Sequence, residues 1–147
     1  MNELNLILLI DDSDADNHFH KIVINRTKIK AAVKSINSSL DALEYIKKSI
    51  STDDDQAFPL PQLVLMDINM PALNGFELLD KIRQVPDPHG RKKGVKIFML
   101  SGSLNPDDKS MAAEKYADMV YGFYLKPLNE KAIIDIINKH FPEKAII

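Results

Sequence analysis

The sequence contains no cysteine, so neither a disulfide framework nor a thiolate metal site can form. Its formal net charge of −2 offers no basic surface for nucleic acid or for an anionic membrane. No apolar run approaches the roughly 20 residues of a membrane span, and the N-terminus lacks the basic segment that opens a signal peptide. These absences predict a cytoplasmic protein that binds neither nucleic acid nor membrane.

What the sequence does contain is the composition of one globular domain. Its 147 residues are 45% hydrophobic and 27% charged, and a chain of this length can bury a sizeable core. No internal repeat or low-complexity tract interrupts it. We expect a single domain over residues 1–147, with its core at about 6–141, a tail at 142–147 and no output domain.

Five short apolar runs alternate with helical patterns along the chain. Runs of this length between turn residues indicate buried parallel strands. They are Leu6–Ile10, Ala31–Ile36, Leu63–Met66, Val95–Leu100 and Met119–Leu125. Right-handed crossovers between such strands predict an α/β fold, a doubly wound five-stranded sheet with helices on both faces. Segments 51–61 and 85–94, each with two prolines, are expected to be surface loops.

The helical segments carry start signals and apolar faces. Asp14 or a neighbour is expected to cap the first helix, and Ser38 to Asp41 resembles a capping box. Pro106 suits the first position of a fourth helix that runs to about Tyr116, and the last helix is expected at Leu128 to Phe141. The expected inward residues are Ala15, Phe19, Ile22, Val23 and Arg26 in the first helix, Leu40, Leu43, Ile46 and Ile50 in the second, Phe76, Leu79 and Ile82 in the third, and Ile133, Ile136 and Ile137 in the last.

Reactive side chains follow four of these runs: Asp11 with Asp12, then Asp67, Ser101 and Lys126. Parallel strands gather their carboxyl ends along one edge of the sheet, so these groups should converge. Three ionised carboxylates would repel one another, and a hard divalent cation such as Mg²⁺ relieves that repulsion. Lys126 and Ser101 could donate to phosphoryl oxygens, while Asp67 is placed to accept a phosphoryl group as an aspartyl phosphate.

These motifs, in this order, resemble the response-regulator receiver family of two-component signalling. The resemblance rests on the Asp11-Asp12 pair, the run from Asp67 to Gly75, Ser101 and the segment from Phe123 to Pro127. It covers the chain from about Leu6 to Phe141. It implies the flavodoxin-like receiver fold, with strand order 2-1-3-4-5. It also implies a signalling switch rather than an enzyme, one that catalyses only its own phosphorylation and dephosphorylation.

The resemblance also implies the roles of the site residues. Asp67 would be the phospho-acceptor, and Ser101 and Lys126 would contact the phosphoryl group. The phosphoryl group would come from a histidine kinase or a histidine phosphotransfer protein. The Mg²⁺ ligands would be Asp11, Asp12, Asp67 and the backbone carbonyl of Asn69.

A conformational switch follows from the same resemblance. Ser101 would close onto the phosphoryl group and Phe123 would follow it, which changes the surface of the fourth helix, fifth strand and fifth helix. That surface would regulate a downstream protein. Because Ile134 lies off the inward stripe and residues 145–147 are apolar, it could also support a weak homodimer. Gly102 departs from the small alanine usual after the switch residue, and it should loosen that loop.

Three other functions remain as alternatives. A haloacid-dehalogenase-like phosphatase also uses aspartate, a hydroxyl, lysine and Mg²⁺, but its nucleophile follows the first strand, whereas Asp67 follows the third. A flavodoxin-like flavin protein needs a first loop that cradles phosphate, and the loop at Asp11 is acidic. A receiver-like scaffold would bind partners without being phosphorylated, although the set of site residues here is complete.

Overall fold

Five strands and five α-helices alternate along the chain in the computed structural model, which describes residues 4–54, 56–103 and 105–144. The strands are β1 (Leu6–Ile10), β2 (Ala32–Ile36), β3 (Leu63–Asp67), β4 (Lys96–Ser101) and β5 (Val120–Leu125). The helices are α1 (Asp14–Arg26), α2 (Ser39–Ser51), α3 (Gly75–Gln84), α4 (Pro106–Lys115) and α5 (Glu130–His140). Short 3-10 turns at Lys92–Gly94 and Pro142–Lys144 complete the described elements.

All four neighbouring strand pairs are parallel, and the strand order is β2-β1-β3-β4-β5. The predicted α/β fold class, sheet order and doubly wound architecture are therefore confirmed. β1 and β3 occupy the centre of the sheet, and both are buried along their whole length. Ile10 pairs with Met66 in register, so the residues that follow both strands emerge side by side at the same edge.

Alternate residues of the central strands supply two cores, one on each face of the sheet. In β1, Leu8 and Ile10 pack with α2 and α3, whereas Ile7 and Leu9 pack with α1 and α5. Because side chains of a strand alternate between faces, apolar residues are needed at every position of a strand covered on both sides. This requirement produces the uninterrupted apolar runs in the sequence.

Side-chain oxygens cap the start of each α-helix. Ser13, the neighbour of Asp14, caps α1 by accepting a hydrogen bond from the backbone amide of Asp16. Ser38 caps α2 in the same way, as predicted. At α3, Asn74 and Glu77 form a reciprocal capping box that the sequence analysis did not identify. The first backbone amides of a helix have no carbonyl acceptor within the helix. The capping side chains accept their hydrogen bonds and so define where each helix begins.

The inward faces predicted for α1 and α2 were partly wrong. Phe19 is 45% exposed, Ile22 38% and Leu40 52%, and Ala15 and Arg26 are exposed as well. Of the five residues expected to face inward in α1, Val23 alone is buried. In place of the others the helix buries polar Asn17 and His20, which have hydrogen-bond partners at the strand ends. A pattern of apolar residues cannot anticipate that choice, because it treats every polar residue as an outward one.

The two long loops are held by specific contacts. In the loop after α2, the carbonyl of Pro59 accepts a hydrogen bond of 2.6 Å from the Tyr45 hydroxyl. In the loop before β4, the carboxylate of Asp87 accepts hydrogen bonds from the backbone amides of Arg91 and Lys92. The apolar tail at 145–147 lies outside the described residues. Within the described part of the chain, no helix is long and apolar enough to cross a membrane.

Candidate functional site

Three carboxylates meet where β1 and β3 end. One oxygen from each of Asp11, Asp12 and Asp67 lies within 4.8 Å of the others. Asp11 and Asp67 are 3% and 4% exposed, whereas Asp12 faces solvent. The Ser13 amide donates to the Asp11 carboxylate at 2.9 Å, which fixes that side chain at the strand end. The structure therefore brings together the three acids that the sequence analysis singled out.

The ammonium group of Lys126 lies among these acids. Its Nζ is 3.0 Å from Asp11 Oδ2, 2.8 Å from Asp16 Oδ2 and 3.5 Å from Asp67 Oδ1. Burial works to lower the pKa of Lys126. Hydrogen bonds to Asp16 and Asp11, with the charge of Asp67, outweigh burial and raise it above its ordinary value. Lys126 is therefore a permanent cation, held in place by a dense set of anions.

The carboxyl group of Asp67 is costly to ionise. Burial, and then the charge of Asp11, raise its pKa to about 6, although Lys126 and the backbone amide of Asn69 act in the opposite direction. One lysine therefore does not fully offset the repulsion inside the cluster. An added cation would favour the ionised form.

The donor set fits a hard divalent cation. Its side-chain ligands are all carboxylate oxygens, and Mg²⁺ binds oxygen ligands while it keeps several waters. The exposed position of Asp12 leaves one side of the cluster open to solvent, where such waters could remain. Asp11, Asp12 and Asp67 are thus the residues that could hold Mg²⁺. Asn69 contributes its backbone amide to Asp67, and its carbonyl remains a predicted ligand.

Ser101 and Phe123 lie on the neighbouring strand pair. Asp67 pairs with Leu100 in register, so Ser101 is one residue further along the same edge. The Ser101 hydroxyl is engaged in its own loop: it donates to the carbonyl of Ser103 and accepts from the amide of Ser103. Phe123 is half-buried and packs on the α2–α3 side of the sheet. The structure thus places both residues near the site without showing either in contact with Asp67.

The turn after β3 positions Asp67 through close backbone contacts. The Ile68 amide donates to the carbonyl of Leu100, and the Gly75 amide donates to the carbonyl of Ile68 at 2.7 Å. A Cβ on Gly75 would lie 2.9 Å from the Asp67 carbonyl oxygen. Ala72 has φ of +65°, an uncommon value for a residue other than glycine. The chain therefore folds tightly back on itself beside the acidic cluster.

Three residues of α1 that the sequence analysis did not assign reach the site. Besides Asp16, they include Asn17, whose side-chain amide donates to the backbone carbonyl of Asp11 at 2.9 Å. His20 Nε2 accepts the amide hydrogen bond of Leu128 at 3.1 Å, and burial lowers the pKa of its ring. A signal existed in the sequence: α1 begins three residues after Asp11, so its first turns must cover the edge that Asp11 occupies.

Comparison with known proteins gives concordant results. The family model for the response regulator receiver domain matches residues 7–138. Response regulator Rcp1 of Synechocystis is 30% identical over 107 residues, which are 73% of this chain and 68% of that protein. The probable methanogenesis regulatory protein FilR2 of Methanothrix harundinacea is 24% identical over 84% of this chain and 73% of its own length.

Solved structures agree with this result. A two component response regulator from Cytophaga hutchinsonii superposes with a TM-score of 0.79 at 28% identity. The superposition covers 95% of this chain and 98% of that one. The similarity therefore extends over nearly the whole sheet and its helices.

Proposed function

The chain belongs to the response regulator receiver domain family, and from that premise we propose that it is a phosphorylation-dependent switch whose phospho-acceptor is Asp67. One observation supports this most strongly. One oxygen from each of three carboxylates lies within 4.8 Å of the others, and Lys126 Nζ is 3.5 Å from one of these groups, Asp67. Buried acids repel unless cations balance them, so such a cluster suits a site that binds a cation and a transferred anion.

In the proposed reaction, Asp67 takes a phosphoryl group from a phosphohistidine of a kinase or a phosphotransfer protein. A carboxylate oxygen of Asp67 forms a bond to phosphorus as the P–N bond breaks, and the imidazole leaves with that electron pair. Lys126 donates to a phosphoryl oxygen, and Ser101 donates to another after it releases Ser103. Bound Mg²⁺, held by Asp11, Asp12, Asp67 and the Asn69 carbonyl, would neutralise charge on the phosphoryl oxygens.

The switch is proposed to run from Ser101 to β5. In register, Ser101 pairs with Leu125 and Met99 pairs with Phe123. Movement of the Ser101 loop would therefore shift the residues of β5 that pair with β4. The Lys126 amide also donates to the Ser101 carbonyl at 2.7 Å, which links the two strand ends directly. Phosphorylation then acts as a local charge change that biases a packed element with two arrangements.

The output surface is proposed to be the face formed by α4, β5 and α5. Met111, Tyr121 and Leu125 expose apolar surface there. We propose that this face regulates a downstream protein. Ile134 is half-buried, which leaves little surface for self-association, so a homodimer through this face would be weak.

Chemical phosphorylation tests the proposed function. Incubation with acetyl phosphate and Mg²⁺ should add one labile phosphoryl group, measured by intact-protein mass spectrometry. EDTA should abolish the addition, and Asp67→Asn should remove it while the variant stays folded by circular dichroism. Labelling of Asp67→Asn equal to that of the wild type would show that the acceptor is another residue. No labelling of either protein would favour the alternative of a scaffold that is not phosphorylated.

A further inference from the structure

Lys126 has more partners than the proposed phosphoryl transfer requires. Its two shortest contacts are to Asp16 at 2.8 Å and Asp11 at 3.0 Å, and its contact to Asp67 is the longest at 3.5 Å. The first two are short hydrogen bonds, whereas the contact to Asp67 is a longer ion pair. The ammonium group is therefore drawn to the side of the site where β1 and α1 lie.

The position of Asp16 is fixed by its helix. Ser13 accepts the amide hydrogen bond of Asp16 at the start of α1. One residue later, Asn17 is bonded to the carbonyl of Asp11, and one turn later His20 accepts from the amide of Leu128. The same helix is thus attached both to the strand end that carries Asp11 and to the backbone two residues beyond Lys126.

This attachment of α1 distinguishes the ion pair between Lys126 and Asp16 from an ordinary surface ion pair. Exposed pairs contribute little because two mobile side chains must be ordered to form them. Here the Lys126 side chain is only 16% exposed, and its three carboxylate partners already restrict it. Asp16, at 43% exposed, keeps part of its hydration and loses little on pairing.

We propose that Asp16 is a positioning residue that holds Lys126 away from Asp67 while Asp67 is unphosphorylated. The inference rests on the proposed function, because its consequence appears when an anion is added to Asp67. Contact with a phosphoryl oxygen draws Lys126 towards Asp67 and weakens its hydrogen bond to Asp16, which lies on the other side of the ammonium group. Asp16 therefore competes with the phosphoryl group for one ammonium group, and it lowers the affinity of the site for that group.

The experiment measures the affinity of the site for beryllofluoride, which binds a carboxylate as a phosphoryl mimic when Mg²⁺ is present. Asp16→Asn and Asp16→Ala should bind it about threefold to tenfold more tightly than the wild type, with the larger gain in the alanine variant. The matched control is Asp14→Asn. It removes the same charge from the same helical turn, but Asp14 accepts from Asn37 rather than from Lys126. Its affinity should stay within about twofold of the wild type.

A double-mutant cycle separates this inference from the proposed function. In EDTA, unfolding free energies of Asp16→Ala, Lys126→Met and the double variant should show a favourable coupling that the same cycle with Asp14 lacks. If that coupling is absent, or if Asp16→Ala and the wild type bind beryllofluoride equally, the competition by Asp16 is refuted and the proposed function stands. If the coupling is present but no variant binds beryllofluoride, the proposed function fails, together with the competition that depends on it.

Discussion

At the scale of single residues, the ionised carboxylate of Asp67 lowers the free energy of unfolding of the metal-free protein. Its pKa is raised to about 6 by burial and by the charge of Asp11. At neutral pH the folded protein must keep this carboxylate ionised, whereas in the unfolded chain water solvates it. Such a group destabilises the fold in the metal-free state, and that cost is relieved when a cation binds or when the negative charge is removed.

Asp67→Asn should therefore stabilise the metal-free protein above pH 6. Because the folded pKa lies above the unfolded value of 3.8, the folded state loses stability as pH rises from about 4 to 6. The asparagine variant should gain up to about 3 kcal/mol in unfolding free energy at pH 7.5. At pH 4 the gain should be small, because the aspartate is then largely protonated and resembles asparagine in shape.

Urea denaturation in EDTA at both pH values measures the difference between the two proteins. Titration of groups distant from Asp67 contributes equally to both proteins and cancels. A variant that is less stable than the wild type at pH 7.5, or a gain that does not change with pH, would contradict the burial of an ionised carboxylate at this position.

Sequence alone identified Asp11, Asp12, Asp67, Ser101 and Lys126, because each follows an apolar run that is itself easy to recognise. It did not identify Asp16, Asn17 or His20. The short distance from Asp11 to the start of α1 indicates that the helix covers this edge, but the side chains that reach the site depend on the direction in which α1 leaves the sheet. His20 fits no motif in the sequence, yet it is buried and accepts a hydrogen bond from the backbone amide of Leu128.

At the scale of secondary-structure elements, the turn between β3 and α3 has the strictest steric requirement in the site. A Cβ on Gly75 would lie 2.7 Å from Met99 Cε, 2.9 Å from the Asp67 carbonyl oxygen and 3.0 Å from Ile68 Cα. Two of these atoms belong to the backbone that carries Asp67, so neither can move away alone. By contrast, a Cβ on Gly102 would meet nothing within 4 Å.

These two glycines should respond differently to alanine. Gly75→Ala should lower the unfolding free energy by about 1–3 kcal/mol, because it overpacks the turn. Gly102→Ala should leave the stability within about 0.5 kcal/mol or raise it slightly, because it restricts the unfolded chain without a clash. Urea denaturation of the pair measures this contrast, and equal effects of the two substitutions would show that the turn after β3 is more adaptable than described.

The strands were predicted to within one residue at each end, since a strand covered on both faces needs an apolar residue at every position. The predicted faces of α1 and α2 were less accurate. Phe19, Ile22 and Leu40 fit a helical spacing but are exposed. Two neighbouring faces of a helix differ only by a small rotation about the helix axis, so apolar spacing can fit both. Buried polar groups with hydrogen-bond partners determine which face packs on the core.

At the scale of the whole molecule, the sheet connects the acidic cluster to a distant surface. β3 holds Asp67, β4 holds Ser101, and β5 holds Phe123 and ends next to Lys126, in the order in which the three strands pair. We propose that a charge change on Asp67 reaches the edge strand through these two successive strand ends. That geometry is the basis of the central claim, that phosphorylation of Asp67 alters the α4–β5–α5 face.

Amide hydrogen exchange with and without beryllofluoride and Mg²⁺ tests this claim most directly, with Asp67→Asn as the control that lacks the acceptor. The account predicts changed exchange in three places: the turn after Asp67, the loop at Ser101–Ser103, and β5 from Phe123 to Leu125. Asp67→Asn should show none of these changes. Protection confined to the turn after Asp67, with the Ser101 loop and β5 unchanged, would contradict the account.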